Sequence, residues 1–323
     1  MQITVAIPVY NRKEHISECI DSVLKQKENS QYSYSVLVID NSSTDGTIEI
    51  LQEYSKHKKV TVIYNSINLG MAGNWTKCYK ESQGDYTYLL HSDDLMLPNT
   101  LSTTADFLFK HPECDFGFGN VDVNKNNRIT KNVFSLKGKH FEILDNNWLL
   151  NQYFYRASHP CPPQTWFIRK GIIEKCGGFI EETICCDFNM SFKIVASSFK
   201  IGYINKSLSE WIIHDNNAGG GDMSKHKEHL VRAIEEIKNR HAEYNLDELK
   251  MNQLQSEVIR EEAFHYLKFG KNKIAKSLIK QLRSMKVYFK YKLQPKDYLI
   301  ILFEHTNLNL INPLYKAKQF FRL

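Results

Sequence analysis

Two adjacent carboxylates, Asp93 and Asp94, close the stretch Tyr86-Thr87-Tyr88-Leu89-Leu90-His91-Ser92-Asp93-Asp94. The stretch opens as a short run of β-prone and apolar residues after the turn signal Gln83-Gly84-Asp85, so it reads as a buried strand. In an open α/β sheet the carboxyl ends of strands face the ligand crevice. Two acids at such an end are costly to bury without a counter-charge. A divalent cation that itself holds a polyphosphate supplies one, and hard oxygen ligands suit Mg2+ or Mn2+. The plainer alternative is that the pair caps a helix opened by Pro98.

The elements that must position these acids can be read in chain order. Residues 3–10 form a first strand, with Pro8 ending its ladder and residues 8–12 looping at its carboxyl end. A helix follows with Ile16, Ile20, Val23 and Leu24 on one face. Residues 35–39 form a second buried strand that ends on Asp40, and the polar turn 41–46 leads into a helix with Ile48, Leu51 and Tyr54 on its apolar face. Residues 60–64 form a third strand, 65–73 an Asn- and Gly-rich loop, 74–82 a helix, and the Asp93–Asp94 stretch the fourth strand. This alternation predicts an α/β fold with a mostly parallel, doubly wound sheet. Right-handed crossovers then set the loops after each strand along one edge, so Arg12, Asp40 and the Asp93–Asp94 pair converge. Further on, the pattern predicts helices at 101–110, 148–155 and 186–197 and strands at 115–119, 166–170, 200–204 and 210–214. A hairpin or mobile loop is expected over 120–138, an irregular Pro-rich segment over 159–164 and a turn at Cys176-Gly177-Gly178-Phe179.

Composition sets the outer bounds. The chain has 323 residues and 42% apolar content, enough for a sizeable core and one large domain or two. No apolar run approaches bilayer length, and the first residues run into a strand without a charged leader, so no signal peptide is expected. Seven scattered Cys without a Cys-x-x-Cys spacing point to reduced thiols and a cytoplasmic location. The net charge of +6 suits an anionic substrate or an anionic membrane surface and is no argument for nucleic acid.

With these elements in place, the chain resembles a family 2 glycosyltransferase of the GT-A fold, from Ile3 to about Gly219. Ile7-Pro8-Val9-Tyr10-Asn11-Arg12 resembles the family's opening nucleotide loop, and Val38-Ile39-Asp40-Asn41-Ser42-Ser43-Thr44-Asp45-Gly46-Thr47 its second-strand signature. Asn68-Leu69-Gly70 with Asn74 resembles the block before the third helix, and His91-Ser92-Asp93-Asp94 the metal motif. Gly177-Gly178-Phe179 followed by Cys186-Asp187-Phe188-Asn189 resembles the Gly-Gly-Phe block and the acidic pair after it, and His214-Asp215-Asn216-Asn217 the closing His segment. Six such blocks in order make the resemblance specific. Three positions depart from the pattern: Asn41 stands for a second acid, Cys186 for a Glu and Gly73 for an Arg.

The resemblance implies a GT-A domain over residues 1–224, with a nucleotide half to about 98 and an acceptor half from 99; the helical periodicity beyond it predicts a helical extension over 225–323. It implies a nucleotide-sugar donor, with UDP favoured, and a glycan or lipid-linked glycan acceptor in cell-surface polysaccharide synthesis. Asp40 would accept from the base, and Pro8, Tyr10 and Arg12 would line the base and phosphates, with Asn68, Gly70 and Asn74 nearby. Asp94 would bind Mn2+ or Mg2+ directly, Asp93 would contact ribose or metal-bound water, and His214 would add a ligand or phosphate contact. Asp187 is the expected catalytic base of an inverting displacement, with a helix N-cap as the alternative role. Gly177 and Gly178 would let backbone approach the sugar, and Asn217 joins them among the residues facing the donor sugar or the acceptor. Gln164 and Trp166 face the acceptor or, for Trp166, the core. Glu181 and Glu182 are second-choice bases, and the glycine-rich stretch 219–221 is a lid or a linker.

Residues 225–323 lie outside the resemblance. Gly and Pro nearly vanish there, helical periodicity dominates, and residues 286–292, 298–303 and 320–323 interleave basic with aromatic and aliphatic side chains. That end either lies on an anionic membrane surface at the inner face of the cytoplasmic membrane or packs in a helical subdomain or homodimer interface. Two other functions compete. A sugar-phosphate nucleotidylyltransferase would carry a Gly-rich basic loop after its first strand, where this chain has Pro8-Val9-Tyr10-Asn11-Arg12. A nucleotide-sugar-binding scaffold without catalysis is the other, and Asn41 and Cys186 are its supporting features.

Overall fold

The computed structural model describes residues 1–156, 160–180, 185–214 and 217, and in the carboxyl-terminal third residues 252, 255–256, 259–260, 263–264, 266–267 and 270–284. The chain divides into two compact units, Met1–Tyr153 with Ser158–Gly221, and Phe154–Ala157 with Asp222–Leu323.

The first unit is built on ten strands: β1 Gln2–Val9, β2 Ser33–Asp40, β3 Val60–Tyr64, β4 Tyr86–Leu89, β5 Leu95–Met96, β6 Phe116–Lys125, β7 Arg128–Val133, β8 Glu142–Leu144, β9 Phe167–Arg169 and β10 Ile201–Ile213. The sheet runs β3-β2-β1-β4-β9-β6-β10-β5, with β7 on β6 and β8 on β10. Strands β3, β2, β1 and β4 are mutually parallel, as the alternating pattern predicts. From β9 onward the sheet is mixed, because β9 inserts antiparallel between β4 and β6 while β6 and β10 run parallel. The intervening helices are α1 Ile16–Leu24, α2 Thr47–Tyr54, α3 Gly70–Glu81, α4 Thr100–Lys110, α5 Asn146–Arg156, α6 Ile172–Lys175 and α7 Cys186–Ala196.

The core follows from the apolar runs. Ile3, Val5 and Ile7 of β1 pack with Val36 and Val38 of β2 and with Ile16, Cys19, Ile20 and Val23 of α1, all buried. Helices on both faces leave no solvated face for these strands, which is why their sequences are nearly continuous in apolar residues.

Several elements depart from the sequence pattern for local reasons. Pro8 does not end β1: it pairs opposite Ile39, and the strand runs on to Val9. The Ala6 carbonyl accepts from Leu90 N–H on the β4 side, and the Val9 carbonyl from Asn41 N–H on the β2 side. Pro8, two residues from Ala6, therefore turns its missing N–H toward β4, whose pairing has stopped at Ala6–Leu89. The helix after Pro98 begins at Thr100, behind Asn99 at φ 64°, because residues 95–96 are used as β5 against β10. Helix α3 starts at Gly70, four residues before the expected Asn74. The two strands expected at 200–204 and 210–214 are one strand, β10, bulged between Ile204 and Ser209. The hairpin expected over 120–138 is present, β6–β7 turning at Asn126 and Asn127, both with positive φ.

In the second unit a helix spans Asn272–Ser284. Its Ala275 and Ile279 pack with Ala263, Tyr266 and Leu267, and its Leu282 with Ile259. The basic-aromatic end, the glycine-rich stretch 219–221, and Glu181 and Glu182 lie outside the described residues. No described helix is long and apolar enough to cross a membrane.

Candidate functional site

The carboxyl ends of β1, β2 and β4 do bring the sequence-distant residues to one edge. The loop after β1 is zipped onto the polar turn after β2. Asn11, at φ 52°, donates its N–H to Ser43 Oγ at 2.9 Å, and its side-chain oxygen accepts Thr44 N–H at 2.8 Å. Arg12 N–H donates to Thr47 Oγ1 and Lys13 N–H to Asp45 Oδ2. The string of Asn, Ser, Thr and Asp at 41–47 thus serves as hydrogen-bond partner for the neighbouring loop.

Asp40 ends β2 fully buried. Its Oδ2 accepts Ser43 N–H at 3.0 Å, whereas its buried Oδ1 has no partner. A buried carboxylate oxygen left unpaired is costly, and here it leaves one acceptor position open at the sheet edge. Tyr64 stands directly opposite Asp40 in the β2–β3 register. Burial and then the Asp40 charge raise the Tyr64 phenol above its ordinary range. Tyr10, Tyr64 and Leu69, 43%, 42% and 38% exposed, are large apolar side chains left open at these strand ends. Pro8 is buried within β1.

Asn68, Gly70 and Asn74 belong to an amide network centred on Asn41. Asn41 Nδ2 donates to Asn68 Oδ1 at 2.9 Å and to the Gly70 carbonyl at 3.1 Å. Its Oδ1 accepts from Asn65 Nδ2 at 3.1 Å and Leu69 N–H at 2.9 Å. Asn65 Nδ2 also donates to Asn74 Oδ1, Asn74 Nδ2 to the Ile39 carbonyl, and Lys77 to Asn65 Oδ1. These side chains tie the 65–70 loop to the end of β2. Recurring Asn at 41, 65, 68 and 74 is the network's one trace in the sequence, and it does not by itself pair these residues.

After β4 the chain turns, with Asp94 N–H donating to the His91 carbonyl. Asp93 Oδ2 accepts from Arg12 Nε at 3.0 Å and lies 3.3 Å from His214 Nε2. Asp94 is fully buried. Its Oδ1 accepts Ile212 N–H at 3.0 Å, and its Oδ2 has only a charge contact with His91 Nδ1 at 3.5 Å and no hydrogen bond. His91 Nε2 is likewise buried without a partner. One ligating atom from each of His91, Asp93 and Asp94 falls within 4.8 Å of the others. Two carboxylates and an imidazole, with an orphaned oxygen and an orphaned nitrogen among them, fit a divalent cation. His91 completes the cluster at i, i+3 from Asp94, a spacing visible in the motif but not assigned a role there.

The charges divide the acid pair. Burial pushes Asp93 up, but His91, Arg12 and His214 outweigh it and hold its carboxyl below the usual range. Burial, joined by repulsion from Asp93, raises Asp94 despite His91. Burial lowers His91, yet Asp94, then Asp93 and Asp187, raise it overall. Asp187 therefore stands within the field of the cluster. It sits in the first turn of α7, half-buried, with Oδ1 accepting Phe188 N–H at 2.8 Å.

His214 follows β10. Its ring stacks on His15 with centroids 4.5 Å apart. Asn217 braces it, accepting His214 N–H at 2.6 Å through Oδ1 and placing Nδ2 3.1 Å from His214 Nε2. No feature of the sequence singles out His15 as its partner. Gly177 and Gly178, both at positive φ, close α6 with Gly178 N–H donating to the Ile173 carbonyl and Gly177 N–H to Glu174, a Schellman ending. Phe179 then packs on Trp75 and Tyr79, and Trp75 on His91. Gln164 is buried in the 3-10 turn Pro163–Thr165. Trp166 takes the core alternative: it is fully buried, edge-on to Phe116, with its indole N–H donating to the Cys161 carbonyl.

The chain is 29% identical to the poly(ribitol-phosphate) β-glucosyltransferase of Bacillus spizizenii over 163 residues, 49% of this chain and 25% of that one. It is 34% identical to the abequosyltransferase RfbV of Salmonella typhimurium over 110 residues, 33% of each. The chain thus spans a third or less of these two curated relatives. The crystal structure of S. aureus TarS 1-349 in complex with UDP-GlcNAc superposes with a TM-score of 0.71 at 19% identity, covering 98% of this chain and 92% of that one, which shows a shared GT-A architecture. The sequence model described as Glycosyl transferase family 2 matches residues 4–177, more than half of the chain, and the protein belongs to that family.

Proposed function

We propose that the protein is a metal-dependent inverting glycosyltransferase that moves a sugar from a UDP-sugar to a hydroxyl of a glycan or lipid-linked glycan in cell-surface polysaccharide synthesis. The observation that carries this reading is the His91–Asp93–Asp94 cluster, with its unpaired oxygen and nitrogen, on the same sheet edge as the unpaired Asp40 Oδ1. The activities named for the relatives, a glucosyltransferase of poly(ribitol phosphate) and an abequosyltransferase, support the reaction class and the envelope setting.

In this reading Asp40 Oδ1 accepts the uracil imide N–H, with Tyr10 and Tyr64 beside the base. Asn41 and its amide partners hold the 65–70 loop in place. Arg12, fixed by Asp93, faces the diphosphate, and His214, fixed by His15 and Asn217, approaches it from β10. His91, Asp93 and Asp94 would hold Mn2+ or Mg2+, which neutralises the charge growing on the leaving diphosphate. Asp187 takes the proton of the acceptor hydroxyl. The hydroxyl oxygen bonds the anomeric carbon as the carbon–oxygen bond to the diphosphate breaks on the opposite side, so the configuration inverts. A lipid-linked acceptor would set the reaction at the cytoplasmic face of the membrane.

The test is UDP release from UDP-sugars in the presence of Mn2+ by the wild type and Asp187→Asn. A positioned base contributes about 10²–10⁴-fold, so the variant should lose at least a hundredfold in kcat while its affinity for UDP stays unchanged. Wild-type turnover by Asp187→Asn would remove Asp187 from the role of base.

A further inference from the structure

Residues 263–296 contain ten Lys and Arg and no Asp or Glu, although the chain as a whole nets only +6. The rest of the chain carries 32 basic and 36 acidic side chains, so the positive charge of the protein is concentrated in this one block. Its longest described element is the helix Asn272–Ser284. Ala275, Ile279 and Leu282 form its buried side, against Ala263, Tyr266, Leu267 and Ile259. Lys273, Lys276 and Lys280, at i, i+3 and i+7, share another side, and all three are exposed, as is Lys271 just before the helix. Ile274, 45% exposed, stands beside them.

A surface kept only for solubility mixes both signs, because like charges on adjacent turns repel. An acid-free row of lysines instead attracts an anionic partner. The apolar side of this helix is already used inside its own unit, so the helix cannot bury that side in acyl chains as an inserting amphipathic helix does. What it can offer is charge, to headgroups at the membrane surface.

We propose that the lysine face of the helix Asn272–Ser284, with Lys271, is an electrostatic docking surface for anionic phospholipid headgroups. It rests on the lipid-linked acceptor reading for its purpose, since docking there brings the enzyme to such an acceptor, but not on the donor site. Each lysine near an anionic surface is worth about fivefold in partitioning.

The test is cosedimentation of the full chain with vesicles of phosphatidylcholine alone and with about one-third phosphatidylglycerol, a strongly anionic surface. Wild type should bind only the anionic vesicles, and about 0.5 M NaCl, which shrinks the Debye length to roughly 4 Å, should release it. The triple variant K273Q/K276Q/K280Q should lose on the order of a hundredfold in partitioning with an unchanged melting temperature and unchanged UDP release, which shows that the fold and the donor site are intact. Equal binding to neutral vesicles, retention in high salt, or undiminished binding by the triple variant would overturn the proposal. So would a wild type that binds inorganic polyphosphate but not the vesicles, which would assign the surface to a phosphate polymer. UDP titration involves no vesicles, so failure here leaves the donor reading standing.

Discussion

Replacing Asn41 by Asp restores the acid that the family signature carries at this position, and the structure predicts that the exchange is harmful. All four hydrogen-bonding positions of the Asn41 amide are in use: two donated, to Asn68 and Gly70, and two accepted, from Asn65 and Leu69. A carboxylate keeps the accepted pair and loses both donated bonds. It also sets an anionic oxygen against Asn68 Oδ1 and the Gly70 carbonyl in a buried place, one residue from Asp40. Each lost bond costs about 1 kcal/mol net, and each acceptor left unpaired in the interior about 1–3 kcal/mol. Lys77, held one step away by Asn65, offsets part of this. A net loss of about 3 kcal/mol corresponds to about 10 °C in melting temperature for a unit of this size. The 65–70 loop that flanks Asp40 should loosen as well. If it is ordered only about one-tenth of the time, UDP affinity falls about tenfold. Differential scanning calorimetry and UDP titration read the two effects separately. Asn41→Asp with an unchanged melting temperature and equal or tighter UDP binding would refute the reasoning and show that the position is an acid site occupied by an amide.

Other predictions rest on separate features. Asp40→Asn should weaken UDP by about 10–100-fold, the worth of a hydrogen bond to a charged group, without lowering the melting temperature, because Oδ1 has no protein partner to lose; titration and thermal unfolding check this. Gly84→Ala should destabilise strongly, since a Cβ there would lie 2.7–2.9 Å from backbone atoms of Gln2, Thr4 and Tyr86, a collision at the upper end of the roughly 1–3 kcal/mol typical of overpacking; urea unfolding measures it. Trp166→Ala should cost about 3–5 kcal/mol as a core truncation while UDP release per folded molecule stays near the wild type, and a selective loss of acceptor affinity with full stability would return Trp166 to the acceptor site.

Much of the sheet from β1 to β4 was legible because its signals are local. Continuous apolar runs ending in Asp40 and in Asp93–Asp94, separated by helical periodicity, specify parallel strands and their common edge. The part from β5 to β10 was less legible because its contacts are long-range. Two residues, Leu95 and Met96, become a strand only through β10, and no periodicity exists in a pair. β10 reads as two strands because the bulges between Ile204 and Ser209 break its alternation. The antiparallel insertion of β9 depends on partners in β4 and β6, which its three residues do not encode. In the site, types and order indicated Asp40, Asp93, Asp94 and Arg12. Stacking of His15 on His214 and the closing of the amide network around Asn41 became visible only in three dimensions. Gly73, read as loop, lies inside α3, a case of tertiary context overriding the low helix propensity of glycine.

The central claim is a nucleoside diphosphate held through a cation at His91, Asp93 and Asp94. The most direct test is calorimetric titration of UDP with and without Mn2+, on the wild type and on Asp94→Ala. The account predicts binding by the wild type that needs Mn2+ and is lost in Asp94→Ala. UDP binding of equal strength without the metal, or undiminished in Asp94→Ala, would contradict it.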